Sequence, residues 1–438
     1  MSLTEKTPTP ALADPLNFLS KVKPTATPST ALAGRTVAQI ASTVYAKEGV
    51  NTYILKLVGM LAARNAGLTQ LVVYEYGESD HVDTIHIGDS TIIFMSFQVN
   101  RPEDLLRVLA KFQYMEARPL DLIVAQIPFF PEARAASEYA HNSNIAFVAY
   151  NHAGPGSLNA DEEGVLMETL SLNPATRVLA VSEASRDKIG KESKLDVSVE
   201  IVGQMIATEC FEPLQLNDRA VVTKIGTLRK HLKADGKKDL LLLAPNTLIP
   251  RKRPLDLLRA LKSLIGIKRL ENLRLAFVGH MGFPESAELL QEATAYVEFH
   301  NLGRHVTFSE PVDQDTLRYL YAAADLIAMP GDKETFGLVL AEAGLMERPV
   351  IGYDVPGVRE VIAHGQTGLL VPWDDDTEVR IGALANAIRT LCLDPTRRTA
   401  MGRAGRRHVR ARFDPWHLIG RHEEIYAQAI ESNRCCER

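Results

Sequence analysis

Short, wholly apolar runs alternate with longer amphipathic stretches along this chain, and the alternation occurs twice. In the first half the runs are Leu71-Val72-Val73-Tyr74, Ile92-Ile93-Phe94, Leu122-Ile123-Val124-Ala125, Ala146-Phe147-Val148-Ala149 and Val178-Leu179-Ala180-Val181. Runs this short and this apolar predict strands covered on both faces, as in parallel sheets. Between them, Thr52 to Arg64 and Glu103 to Lys111 carry apolar residues at helical spacing, so a βαβ series is the expected arrangement. After a polar stretch from Asn217 to Lys238 the rhythm restarts. Its runs are Leu240-Leu241-Leu242-Leu243, Leu275-Ala276-Phe277-Val278, Val306-Thr307-Phe308, Leu326-Ile327-Ala328 and Val350-Ile351-Gly352.

The chain has 438 residues, more than one core usually fills, which predicts two domains of about 200 residues each. The expected division is an N-terminal arm over residues 1–33, a first Rossmann-like domain over 34–216 completed by 414–432, and a second over 217–413. The arm reads as flexible or loosely draped, because Thr7-Pro8-Thr9-Pro10 and Pro24-Thr25-Ala26-Thr27-Pro28 would interrupt any helix or strand. Two such α/β domains facing a central cleft would turn their ligand-binding strand ends toward one another. The closing segment from Asp414-Pro415-Trp416 through Tyr426 predicts a helix with proline in its first turn and apolar Leu418, Ile425 and Ala429.

Charge and cysteine content narrow the function classes. A formal net charge of −5 with 24% charged residues carries no basic nucleic-acid footprint. Of the four cysteines, Cys210 and Cys392 lie far apart and Cys435 and Cys436 adjoin in a polar tail, which suggests neither a disulfide framework nor a metal box. No apolar run has the roughly 18 residues that a membrane-spanning helix needs, and the N-terminus lacks a signal-peptide pattern. The expected location is therefore cytoplasmic.

The chemistry concentrates between Lys333 and Met346. Lys333-Glu334-Thr335-Phe336-Gly337-Leu338 follows the run ending at Met329-Pro330 and reads as a loop feeding a helix. With a helix start near Phe336, the first backbone N–H groups at Phe336, Gly337 and Leu338 form an anion site, and Gly337 lets a phosphate approach closely. Glu342 then lies roughly 9 Å along the axis. That spacing could put Glu334 near a sugar and Glu342 near a ribose, with a diphosphate between. The alternative is that Glu334 is a favourable charge at a helix N-terminus and Glu342 a solvated helix residue.

Motif order bears on that choice. Glu334, seven intervening residues and Glu342 are followed by Pro349-Val350-Ile351-Gly352, Val355-Pro356-Gly357, Glu360-Val361 and Gly365-Gln366-Thr367-Gly368-Leu369-Leu370-Val371-Pro372. This series closely resembles the donor-binding half of family 4 retaining glycosyltransferases. Upstream, Leu243-Ala244 through Ile249-Pro250-Arg251-Lys252 is similar to that family's first C-domain strand and phosphate-binding lysine loop. Val178 through Arg186 resembles its last N-domain strand and turn, and Arg412-Phe413-Asp414-Pro415-Trp416 the segment that crosses back to the first domain.

The resemblance implies a GT-B fold and retaining transfer of a sugar from a nucleotide-diphosphate sugar to a hydroxyl acceptor, with a UDP-sugar favoured over a GDP- or ADP-sugar. It implies that Lys252 and the helix N-terminus stabilise the departing phosphate, Glu334 orients the sugar hydroxyls and Glu342 the ribose. His152, in Tyr150-Asn151-His152-Ala153-Gly154-Pro155-Gly156, occupies the position of the family's cleft histidine that contacts the donor sugar. Lys47-Glu48-Gly49-Val50-Asn51 resembles its glycine loop, with Gly49 alone left of the usual glycine pair. No cofactor and no bound metal are expected. The implied partners are the nucleotide-sugar donor and a sugar, glycan or lipid-linked acceptor.

Three departures leave the donor open. Thr247 stands where the family commonly has an arginine four or five residues before the lysine, so Arg251 and Arg253, flanking Lys252, become candidates to restore the charge. Gly203-Gln204-Met205-Ile206 replaces the usual turn after the N-domain, and Glu347-Arg348 precedes Pro349 where a small residue is usual. These departures motivate a rival reading, a non-catalytic subunit that binds a nucleotide or sugar. A third is a retaining phosphorylase or synthase of the same fold acting on a small sugar or sugar phosphate. Asp374-Asp375-Asp376 reads as acidic helix capping rather than a metal site. The arginines from Arg397 to Arg412 read as a solvated helix face, with contact to an anionic lipid surface the alternative.

Overall fold

The computed structural model describes residues 28–41, 49–75, 82–97, 102–116, 118–152, 158–173, 176–192, 196–281 and 284–435, with Leu19 and Val22. The chain divides into two units, residues 1–205 with 416–438, and residues 206–415.

In the first unit, strands β1 (Thr36–Ile40), β2 (Thr69–Glu75), β3 (Val82–Ile87), β4 (Ser90–Phe97), β5 (Leu122–Ala125), β6 (Ala146–Asn151), β7 (Arg177–Ala180) and β8 (Val199–Ile201) form one sheet. Its order is β3-β4-β2-β1-β5-β6-β7-β8. Every pairing is parallel except β3 with β4, which is antiparallel. Five of these strands correspond to the apolar runs. β1 escaped because Gln39 interrupts its apolar character, yet Gln39 is fully buried and accepts a 2.6 Å hydrogen bond from Gln126 Nε2. β3 escaped because, as an edge strand, it alternates exposed and half-buried residues. The helices are α1 (Gly49–Arg64), α2 (Pro102–Glu116), α3 (Pro131–Asn142), α4 (Ala160–Ser171) and α5 (Glu183–Glu192).

The described part of the expected arm is docked rather than flexible. Leu19 is fully buried and packs where Gly59 of α1 has no side chain; a Cβ there would lie 2.7 Å from Leu19 Cδ2. Ser29 bridges to Asn65, and Asn65 Oδ1 accepts from the Leu32 N–H at 3.0 Å. Apolar burial thus overrides the proline punctuation at these positions.

In the second unit, β9 (Leu240–Ala244), β10 (Leu273–Val278), β11 (Val306–Ser309), β12 (Leu326–Met329), β13 (Val350–Tyr353) and β14 (Gly368–Val371) form an all-parallel sheet. Its order is β11-β10-β9-β12-β13-β14. Counted within the unit this is 3-2-1-4-5-6, the doubly wound order, and its direction reverses between β9 and β12. The helices are α6 (Arg219–His231), α7 (Pro254–Leu264), α8 (Pro284–Phe299), α9 (Gln314–Ala323), α10 (Leu338–Leu345), α11 (Pro356–Val361), α12 (Thr377–Leu393) and α13 (Pro395–Phe413).

The polar stretch before β9 contains helix α6. Asp218 caps it by accepting from the Ala220 N–H, and none of its residues is fully buried, which is why its sequence reads as a linker. Arg229 ties it down by donating to the carbonyls of Ala234, Ala323 and Asp239. The units divide at Met205 and Ile206, upstream of the expected 216–217. Ile206 and Phe211 pack into the second core, and the Ile206 N–H donates to Phe413 O at 3.0 Å. Asp376 caps α12 by accepting from the N–H groups of Glu378 and Val379. On α13, Arg398 donates to Leu391 O and Cys392 O, while Arg406 and Arg410 pair with Glu212, so this arginine face is partly engaged in structure. The last helix, α14 (Pro415–Cys435), returns to the first unit, where Ile419, Ile425, Tyr426, Ala429 and Ile430 enter the core beside Val37, Leu122 and Tyr150.

Candidate active site

Two loops leave the carboxyl ends of β9 and β12, the strands on either side of the reversal in the second sheet. Open α/β sheets bind ligands at this kind of point. The loop after β9 ends in a short 3-10 turn, Pro250–Lys252, and Arg253 then adopts φ 51° before Pro254 begins α7. The loop after β12 runs beside it, and the Asp332 N–H donates to Arg251 O at 3.0 Å.

Lys252 Nζ donates to Glu334 Oε1 at 2.6 Å, with side-chain exposures of 13% and 6%. Burial pushes the Lys252 ammonium below its ordinary range, against the pull of Glu334, which raises it. An ammonium has three N–H donors and a carboxylate two oxygens, so this one bond leaves hydrogen-bonding capacity on both. Two glycines admit the arrangement. A Cβ on Gly331 would stand 2.3 Å from Glu334 Oε1, and one on Gly357 would stand 2.2 Å from Glu334 O and 2.6 Å from Phe336 N.

Helix α10 begins at Leu338, later than the start near Phe336 expected from sequence. Gly337 is its N-cap at φ 88°, a conformation natural to glycine, and no side chain caps the helix. The Leu340 N–H donates to Gly337 O at 2.9 Å, so the open end consists of the N–H groups at Leu338 and Val339. Phe336 lies before that end, and its ring is buried edge-on to Phe413 at 4.9 Å, in the core. Glu342 lies one turn into α10, half-buried, and accepts from the buried Tyr321 hydroxyl at 2.8 Å.

The arginines flanking Lys252 differ. Arg253 is paired with Asp332 and its guanidinium lies over Trp373, 5.2 Å from the ring centroid. Arg251 is exposed and donates to Lys333 O at 3.3 Å, so it is the freer cation. Thr247 is half-buried and its carbonyl accepts from the Ile249 N–H. Its loop is pressed by the residue that follows β10: a Cβ on Gly279 would lie 2.1 Å from Asn246 O. Among the described residues, no group of three or more His, Cys, Asp or Glu could hold a metal ion.

In the first unit, His152 follows β6 and is 7% exposed. Its Nε2–H donates to Gln126 Oε1 at 2.7 Å, and Gln126 is held in turn by Gln39. Gln126 stands immediately after β5, and Gln39 lies on β1, so the histidine is fixed beside the reversal of the first sheet. Burial drives its imidazole down to about 3, with a smaller contribution from His422, and keeps it neutral. The ring packs on Tyr53 and Tyr150, at centroid distances of 4.8 and 4.5 Å. Both tyrosine hydroxyls reach His422 Nε2 on α14, at 2.8 and 2.9 Å, and bond to each other. His422 Nδ1–H donates to Leu418 O at 3.1 Å, and burial lowers this imidazole to about 4. Gly49 is the first residue of α1, while Lys47, Glu48 and Ala153 to Gly156 lie outside the described residues.

These buried imidazoles predict acid sensitivity. Above pH 6.5, the ordinary histidine value, neither folded nor unfolded chain holds the proton; below it the unfolded chain gains protons that folded His152 and His422 refuse until about 3 and 4. Stability therefore falls as pH drops below 6.5, by about 2 kcal/mol per histidine at about pH 5. Thermal denaturation followed at pH 7.5 and 5 checks this: the drop should be smaller in His422→Gln than in the parent, and equal drops would contradict it.

Sequence reasoning missed Asp332, Tyr321 and Gln126, which hold Arg253, Glu342 and His152. Gln126, a lone polar residue after an apolar run, carried no signal.

The two Rossmann-like units and the returning last helix define a GT-B fold, as in solved glycosyltransferases. Anabaena HepE, solved in complex with UDP and glucose, matches 90% of this chain and 100% of its own with a TM-score of 0.70 at 17% identity. Residues 226–408, all within the second unit, match the family model of the glycosyl transferases group 1. The D-inositol 3-phosphate glycosyltransferase of Gordonia bronchialis is 29% identical over 69% of this chain and 62% of its own. The alpha-maltose-1-phosphate synthase of Mycolicibacterium smegmatis is 33% identical over 33% of this chain and 38% of its own. The chain thus spans less than two thirds of the length of either relative. The expected GT-B fold is borne out, and the match to the glycosyl transferases group 1 agrees with the expected family over residues 226–408. Among the described residues, no helix is long and apolar enough to cross a membrane.

Proposed function

We propose that the chain is a retaining glycosyltransferase that moves a sugar from a nucleoside-diphosphate sugar, a UDP-sugar before a GDP- or ADP-sugar, to a hydroxyl acceptor. The observation that carries this reading is the buried Lys252–Glu334 pair at the sheet reversal, one loop from the open N-terminus of α10. As the anomeric carbon gains oxocarbenium character, charge builds on the departing diphosphate. The remaining Lys252 N–H donors and the N–H groups of Leu338 and Val339 meet that charge. Glu334 orients the sugar hydroxyls with its other oxygen, and Glu342, fixed by Tyr321, takes the ribose. Neutral His152, with Nε2–H committed to Gln126, offers Nδ1 as an acceptor to a sugar hydroxyl. The acceptor attacks from the face the phosphate leaves, and that phosphate takes the acceptor's proton. No side-chain base and no metal are required, and transfer is expected to persist in chelator.

Two measurements examine these assignments. Glu342→Ala should raise the donor KM about tenfold with little change in kcat, the pattern of a lost uniform binding contact; an unchanged KM would remove Glu342 from the site. An early-time NMR spectrum of the product should show the donor's own anomeric configuration, and an inverted product would overturn retention. A second reading concerns the acceptor. Both curated relatives described above carry names with a phosphorylated sugar or polyol, which supports a small sugar phosphate or polyol phosphate as acceptor. Mass spectrometry of products from a screen of phosphorylated and lipid-linked acceptors distinguishes this from polymer or lipid glycosylation.

A further inference from the structure

We propose that His422, on the last helix, is a positioning residue for His152, acting through Tyr53 and Tyr150. This rests on the reading of His152 as a donor-sugar contact. His422 is fully buried, and its role is set by its own bonds. Because Nδ1–H donates to Leu418 O, Nε2 carries the single lone pair that accepts. Two tyrosine hydroxyls converge on that one lone pair, at 2.8 and 2.9 Å, and also bond to each other. The lone pair can take one hydroxyl proton, and the other hydroxyl donates to its neighbour or, for Tyr53, to Gly203 O at 3.5 Å, so His422 ties the two rings together.

Those rings form two walls against His152, Tyr53 edge-on at 67° and Tyr150 tilted by 33°. The third constraint on the imidazole is its bond to Gln126. With the tyrosine hydroxyls unanchored, only that bond would fix the ring plane, and the direction of Nδ1 would loosen. The last helix is held independently by its apolar residues and by Glu423, which pairs with Arg64 at 2.8 Å and accepts from Asn65. Loss of the His422 acceptor is thus separable from loss of the helix.

The test uses the full chain and three variants, His422→Phe, His422→Gln and the double change Tyr53→Phe with Tyr150→Phe. Two readouts are taken: solvent exchange of the His152 Nε2–H proton by NMR, and kinetics with UDP-glucose. In His422→Phe, exchange should quicken about tenfold and kcat should fall about tenfold with the donor KM little changed, while His422→Gln, which keeps an acceptor, recovers most of both. Should His422→Phe fail to fold, the double tyrosine variant, which keeps both rings, is expected to give the same result. A folded variant with unchanged exchange would overturn the proposal, as would faster exchange with unchanged turnover. If the parent itself does not turn over UDP-glucose, the kinetic reading fails on its own account and the exchange rate still decides whether His422 holds His152.

Discussion

Lys252→Ala should lower affinity for a nucleoside diphosphate between about tenfold and a hundredfold, the equivalent of one charge-assisted contact worth roughly 1.5 to 3 kcal/mol. The same change should destabilise the second unit. Glu334 is only 5% exposed, and its described ionic partner is Lys252; stripping one member from a buried pair typically costs about 3 to 5 kcal/mol. Binding and folding losses can be told apart. The double change Lys252→Met with Glu334→Gln removes both charges at similar volume and should restore most of the thermal stability without restoring affinity. Calorimetry with UDP on parent, single and double variants reads one effect, and thermal melts read the other. Arg251→Ala should weaken binding without the stability loss, because Arg251 is exposed, whereas Arg253→Ala breaks its pairing with Asp332 and its contact with Trp373. Unaltered UDP affinity in all these variants would move the diphosphate site elsewhere.

Gly357→Ala should be nearly as damaging, though it adds one methyl group and touches no charge. That Cβ would press on Glu334 O at 2.2 Å, Thr335 C at 2.5 Å and Phe336 N at 2.6 Å, all backbone atoms that cannot rotate away. Either α11 or the loop carrying Glu334 must shift. Overpacking of this kind typically costs about 1 to 3 kcal/mol, and a displacement of about 1 Å in a positioning element can cost roughly a hundredfold in rate. Gly382→Ala on α12 is the matched control, since its Cβ meets nothing within 4 Å. It should be neutral or stabilising by about 0.5 to 1 kcal/mol. Equal melting temperatures and equal turnover for Gly357→Ala and the parent would show that the loop tolerates the displacement.

The legible parts of this fold were those whose physics is local. Fully buried parallel strands announce themselves as apolar runs, and ten of them were read from such runs. β1 was hidden by Gln39, whose buried amide oxygen accepts from Gln126, just after the neighbouring strand β5 and more than eighty residues away in sequence. Helix α6 was hidden because it buries no residue fully and is fastened by Arg229 to the Ala323 carbonyl at the end of α9, far away in sequence. At the site, Lys252, Glu334 and Glu342 were legible through motif order, and the structure brings Lys252 and Glu334 into contact. The start of α10 was misplaced by the apolar Phe336, whose ring belongs to the core while Gly337 supplies the left-handed turn. Asp332, Tyr321 and Gln126 act on side chains far away in sequence, so no local pattern could mark them.

The central claim is that the loops after β9 and β12 bind a nucleotide sugar and drive departure of its diphosphate. Mass-spectrometric detection of nucleoside diphosphate released from UDP-, GDP- and ADP-sugars tests it most directly, with the full chain in chelator beside its Lys252→Ala and Glu334→Ala variants. The account predicts release from at least one donor by the parent and a loss of about tenfold or more in each variant. Release undiminished in both variants, or none from any donor by the folded parent, would contradict it.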